Sequence, residues 1–276
     1  MFVYIYPEPK VNASGDGNVI DLMSGIVIAF SAFAMEVVDA TLGMGYGTVL
    51  TPVLLIVGFD PVHVVPAVIV SQLAGDFAAA AFHHRFKNVK FTRSGESQDL
   101  KVALSLGVLS AVGAVIAVFT AIRISKFHLS LYIGLLVTAI GLVVLALAIR
   151  KKSFGFSWPR LLVLGLLASF NKGISGGGYG PIIASGQIVT GIGVKSAIGI
   201  TSLAEGIVCI TAFLCYLLTT GIPNWSLAAW LSVGVFFSAP IAAFLVRKIE
   251  AEHLKLIIGI VTTLLGVGTT LRLVSP

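Results

Sequence analysis

The chain has 276 residues, of which 57% are hydrophobic and only 11% charged, with a mean hydropathy of +1.02. A soluble domain of this size needs about 25% charged residues to cover its surface, so that class is excluded and lipid surrounds most of the chain. The formal net charge of +6 does not indicate nucleic acid, because the basic residues sit in loops between apolar runs.

Residues 1–19 read as a polar, exposed tail without the basic start and apolar core of a cleaved signal peptide. A first membrane repeat is expected over 20–149, a basic cytoplasmic linker over 150–157, and a second repeat over 158–274. In the first repeat, residues 20–38 are apolar and lead into the glycine-rich break GMGYG. A short apolar segment follows at 47–58, then three full spans at 62–84, 100–121 and 127–149. The second repeat reads 158–171, the break GGGYG, 180–190, then 195–218, 226–247 and 253–273. The fold class is therefore an all-α integral membrane protein with two repeats, each a glycine-broken pair of short helices plus three transmembrane helices. The segments flanking the second break cover about half to two-thirds of the hydrocarbon. They form either a re-entrant hairpin with its tip near the midplane, which we favour, or two short separate spans.

The duplication is direct. DATLGMGYGTVL (Asp39–Leu50) recurs as KGISGGGYGPII (Lys172–Ile183), at an offset of 133 residues without a gap. The same offset carries Gly58 onto Gly191 and Gln72 onto Glu205. HLSLYIGLLVTAIGL (His128–Leu142) matches HLKLIIGIVTTLLGV (His253–Val267) at an offset of 125. A duplicated, glycine-broken apolar chain is the signature of a transporter built from repeats.

Charge sets the expected orientation. The loop 85–101 holds Arg85, Lys87, Lys90, Arg93 and Lys101; the linker region holds Arg150, Lys151, Lys152 and Arg160; and 247–255 holds Arg247, Lys248 and Lys255. These are predicted cytoplasmic, whereas 219–225, with no basic residue, and 122–126, with only Arg123 and Lys126, are predicted external. The loop after the third segment then lies inside in one half and outside in the other, so the repeats are expected to be inverted, with both termini outside the cell inner membrane.

The polar residues near the breaks are the candidate site. Half-helices starting at Gly47 and Gly180 would aim unpaired N–H groups at the break, and such ends attract anions. Gly45, Tyr46, Gly47 and Thr48 in the first copy, and Gly178, Tyr179 and Gly180 in the second, are candidate substrate-binding residues. The bland alternative is that the glycines only permit close packing. Lys172 stands where the first copy has Asp39, with Asn171 and Ser175 beside it. An ionisable residue at membrane depth is a functional candidate, and a lysine here makes the pocket anion-preferring. Otherwise it pairs with Asp39 or Glu36, or reaches the surface. Ser71, Gln72, Thr201 and Ser202 complete the binding candidates. Glu205, Asp39 and Asp76 are candidate proton carriers; the alternative for Glu205 is a neutral carboxyl bonded to a neighbouring serine or carbonyl. Glu36 and Asp39 lie three residues apart, so one carboxyl of that pair is expected to stay protonated.

His83 and His84 are expected at the membrane interface, and Cys209 and Cys215 to be inert. HExxH and P-loop motifs are absent, and no catalytic residue, cofactor or metal site is expected. A potassium filter requires Thr-Val before GYG and four parallel copies, neither of which fits here.

On these residues the chain resembles the TauE/SafE sulfite exporter family, also described as anion permeases for sulfur compounds. The likeness rests on the duplicated GMGYG and GGGYG breaks, the threonine or proline that follows, and the Ser-Gln and Thr-Ser-Leu-Ala-Glu segments, and covers residues 22 to 274. It implies a multi-pass carrier of a small anion such as sulfite, thiosulfate, sulfoacetate or a related organosulfonate. Substrate, direction and coupling ion stay open, as does homo-oligomerisation. A passive anion channel and a membrane-embedded enzyme or assembly factor are the alternatives.

Overall fold

A computed structural model describes residues 20–92, 97–149, 157–221, 224–246 and 251–274. The N-terminal tail, the linker residues Arg150, Lys151 and Lys152, and the loop residues Arg93, Arg247 and Lys248 lie outside the described residues. The described residues form eleven α-helices: α1 (Leu22–Leu42), α2 (Tyr46–Val57), α3 (Pro61–Arg85), α4 (Gln98–Ala121), α5 (Lys126–Ile149), α6 (Trp158–Ser175), α7 (Tyr179–Val189), α8 (Val194–Thr219), α9 (Trp225–Phe236), α10 (Ser238–Leu245) and α11 (Ala251–Val274).

Local chemistry explains the boundaries. The Asp21 side chain caps α1 by accepting from Ser24 N at 3.0 Å, and Asn224 caps α9 by accepting from Leu227 N at 2.9 Å. Pro61 opens α3, where a missing N–H costs nothing. At both breaks the chain must turn left-handed: Gly43 (φ 69°) ends α1 and Gly176 (φ 73°) ends α6. Each returns its N–H to the residue four back, Asp39 or Lys172. The duplication is thus written in the backbone as well as in the side chains.

Five helices (α1, α3, α4, α5 and α8) are long and apolar enough to cross a membrane, and the pair α9–α10, bent by 42°, makes a sixth if it is one span. Large apolar side chains such as Phe30, Val108, Leu218 and Phe236 cover the outside, as lipid contact requires.

Two elements differ from expectation. The helices before the breaks run on to Leu42 and Ser175, so α1 and α6 have 21 and 18 residues. At 1.5 Å per residue they reach about 31 and 27 Å, near the full hydrocarbon thickness. The second-half span expected over 226–247 is interrupted at Phe237, between α9 and α10.

The packing exchanges elements between the halves. α4 lies on α6 and α8, while α9 and α10 lie on α1 and α3; α3 packs on α8, and α5 on α11. In the α5–α11 seam, Gly141 abuts Thr263 and Gly266 abuts Thr138, a reciprocal fit of small residues that brings the two backbones close. The loops connect in two groups. Asp99 accepts from Lys90 N at 2.9 Å and from Ser196 Oγ at 3.4 Å, so the end of α3 and the starts of α4 and α8 lie together. Asn88 donates to Ala243 O at 2.9 Å, adding the end of α10 to that group. Asp60, ahead of α3, pairs with Lys126 at 2.7 Å, and Ile20 N donates to Ser226 Oγ at 3.2 Å.

His83, in the last turn of α3, is fully buried in the protein, with Nε2 at 2.8 Å from Ala40 O and Nδ1 at 3.1 Å from Asn88 Nδ2. Because the Asn88 amide is a donor, Nδ1 accepts and Nε2–H donates, which ties the end of α3 to α1.

Candidate functional site

The two breaks meet. A Cβ on Gly47 would strike the Gly176 carbonyl oxygen, and a Cβ on Gly180 would strike the Gly43 carbonyl oxygen. Gly178 N donates to Thr48 Oγ1 at 3.0 Å, binding one break to the other by a direct hydrogen bond. The close approach that glycine permits is therefore spent, at Gly47 and Gly180, on the opposite break. Tyr46 and Tyr179 are both fully buried, and each donates its hydroxyl to a serine. Tyr46 is 2.6 Å from Ser71 Oγ, whose own proton goes to Val68 O. Tyr179 is 3.2 Å from Ser110 Oγ, whose proton goes to Gly165 O.

The two helix N-termini are not equivalent. Asp39 Oδ1 accepts from Tyr46 N at 3.0 Å, so the start of α2 already holds a carboxylate from its own repeat. At the start of α7 no side chain caps, and the residue matching Asp39 is Lys172. The sequence suggested two like anion-attracting ends; the structure fills one of them with Asp39.

Lys172 has no exposed surface. Its Nζ donates to Glu205 Oε1 at 2.8 Å and also to Gln72 Oε1. Gln72 Nε2 in turn donates to Glu205 Oε1 at 3.2 Å and to Asp39 Oδ2 at 3.4 Å. The matching positions 72 and 205 thus touch each other at the centre, on the paired helices α3 and α8, with Lys172 joined to both. The pairing with Asp39 or Glu36 suggested by sequence does not form. Gln72 bridges from Lys172 to Asp39, and the lysine's partner is the carboxylate of its own repeat.

A second acidic group adjoins this one. Carboxylate oxygens of Glu36, Asp39 and Asp76 all lie within 4.8 Å of one another. Cys209 Sγ donates to Asp76 Oδ2 at 3.5 Å. Neither oxygen of Glu36 has a hydrogen-bond partner.

The remaining candidates bond elsewhere. Asn171 Oδ1 accepts from Tyr132 OH at 2.5 Å, and Ser175 Oγ accepts from Gly177 N at 3.2 Å. Thr201 Oγ1 accepts from Gln187 Nε2 at 2.9 Å, and Ser202 donates to Ile198 O. Gln187, Tyr132 and Ser110 were not singled out by the sequence. The polarity of Gln187 between apolar neighbours was the available signal; nothing distinguished Ser110 or Tyr132 in advance.

Comparison with known proteins follows the same lines. The profile of the family described as sulfite exporter TauE/SafE matches residues 28–269. The chain is 25% identical over 244 residues to the probable membrane transporter protein YtnM of Bacillus subtilis (strain 168), covering 85% of this chain and 78% of that one. No solved structure matches.

Proposed function

The chain belongs to the TauE/SafE sulfite exporter family of membrane transporters, and on that premise we propose that it is a secondary carrier of a small sulfur-containing anion, working by alternating access. Sulfite, thiosulfate, sulfoacetate and related organosulfonates are the substrate class. The observation that carries this reading is Lys172: a fully buried cation on the helix that leads into the second break, bonded to Glu205 and Gln72.

Lys172 is already neutralised by Glu205, and that suggests how transport couples to protons. A monoanion entering the site takes over the lysine, and Glu205 accepts a proton as it lets go. The buried charge is the same before and after, so no uncompensated charge is left in the apolar core. Asp39 stays with the N-terminus of α2 and is less suited to this exchange. The carrier reading is tested with Glu205→Gln, whose amide oxygen still accepts from Lys172. In proteoliposomes, counterflow of labelled sulfite or thiosulfate should persist, while accumulation driven by a pH gradient is lost. Accumulation with unchanged pH dependence would make Glu205 structural, and loss of all saturable counterflow by the wild type would remove the carrier reading.

The loop groups support one orientation. The loop group at Asn88, Asp99 and Ser196 carries Arg85, Lys87, Lys90, Lys101 and Lys195, which supports placing it in the cytoplasm. A cavity of about 240 Å³ lies at that end, lined in part by Asp99, Thr190, Gly191 and Ser196. α3 then ends where α8 begins, as inverted repeats require. Single-cysteine labelling in a background lacking Cys209 and Cys215 should modify Thr220→Cys from outside and leave Ser94→Cys untouched. The opposite pattern would remove the inverted arrangement.

A further inference from the structure

Four buried carboxyl groups (Glu36, Asp39, Asp76 and Glu205) surround one lysine. Lys172 and Glu205 neutralise each other. Among the described residues, no basic side chain is bonded to Glu36, Asp39 or Asp76. Three carboxylates without a positive partner do not survive in an apolar core. Glu36 sharpens the problem: it has no exposed surface, neither oxygen has a partner, and its carboxyl lies against the α3 backbone, 2.6 Å from where a Cβ on Gly75 would be. A side chain so placed is aimed at Asp39 and Asp76 with its hydrogen-bonding capacity unused.

The spacing fits an ion. Calcium binds oxygen at about 2.3–2.6 Å, so oxygens on opposite sides of one ion stand up to about 5 Å apart. Three ligand atoms within 4.8 Å of one another can all touch such an ion. Magnesium, at about 2.1 Å, demands a tighter set. We propose that Glu36, Asp39 and Asp76 hold a hard, oxygen-seeking metal cation of calcium or sodium size. Asp39 ties this site to the other: one of its oxygens faces Gln72, which bonds both Lys172 and Glu205.

The test needs no substrate. Purified full-length protein is melted at fixed pH in sodium, calcium or magnesium chloride, with choline chloride holding ionic strength. Binding to the folded state should raise the melting temperature saturably for sodium or calcium. The concentration at half-saturation should rise about ten-fold or more in Glu36→Gln and in Asp76→Asn, each of which removes one charged ligand. The readout is the dependence on cation, because removing an unpaired buried charge by itself raises stability. Should neither variant fold, equilibrium binding of radioactive sodium or calcium to the wild type decides: about one ion per chain supports the site. No saturable effect of any cation, with no ion bound, means that protons alone neutralise the cluster and overturns the proposal. A folded variant with wild-type half-saturation overturns it as well. Because no anion is present, failure here leaves the carrier reading standing, and failed anion counterflow leaves the cation site standing.

Discussion

Replacing Lys172 by methionine is expected to destabilise the protein by about 3–5 kcal/mol, the cost of stripping one partner from a buried ion pair. Methionine keeps the length and apolar stem of lysine, so packing changes little. What changes is Glu205, whose Oε1 then keeps only the Gln72 amide as donor. The single variant should accumulate poorly and melt early. Adding Glu205→Gln should restore most of the loss, because an amide pair replaces an unpaired carboxylate. Adding Asp39→Asn should not, since Asp39 bonds Tyr46 N and Gln72 rather than Lys172. The stable double variant then isolates function: with folding rescued and the cation gone, binding of sulfite or thiosulfate should fall by about ten-fold to a hundred-fold, the worth of one charge-assisted hydrogen bond. Rescue by Asp39→Asn instead, or full anion affinity in the double variant, would remove Lys172 from the site.

The reach of the sequence can be judged residue by residue. The membrane class, the repeat and the glycine breaks were legible because each depends on local chemistry. Apolar runs set spans, and a left-handed turn at Gly43 and Gly176 admits little but glycine. The match of Gln72 with Glu205 at the repeat offset picked out two residues that are in contact. Partner choice was not legible. Asp39 and Lys172 occupy matching positions and carry opposite charges, which made their pairing one alternative to a substrate contact. Whether they meet depends on side-chain direction across three packed helices, which no spacing encodes. The extent of α6 was misjudged for a related reason. Asn171, Lys172 and Ser175 are polar, and a reading based on hydropathy ends the span before them, although buried partners let the helix continue through to Ser175.

The glycines at the breaks should be the least replaceable residues of the chain. Gly47→Ala and Gly180→Ala would each drive a methyl group into a carbonyl oxygen of the other break, Gly176 for one and Gly43 for the other. Backbone on both sides cannot yield as a flexible side chain can. The contact also holds the Thr48–Gly178 hydrogen bond in register. Overpacking of this kind usually costs about 1–3 kcal/mol, and the rigid backbone on both sides puts these two at or above the top of that range. Gly268→Ala is the matched control. Its new methyl meets only Ile56 Cδ1 at 3.6 Å, an ordinary contact, and α11 should gain about 1 kcal/mol from the better helix former. Melting of the three purified variants should therefore place Gly47→Ala and Gly180→Ala well below the wild type and Gly268→Ala at or above it. The two break variants should fall together, since each presses on the partner break by the same kind of contact. If either melts like the wild type, the two breaks are not packed backbone to backbone.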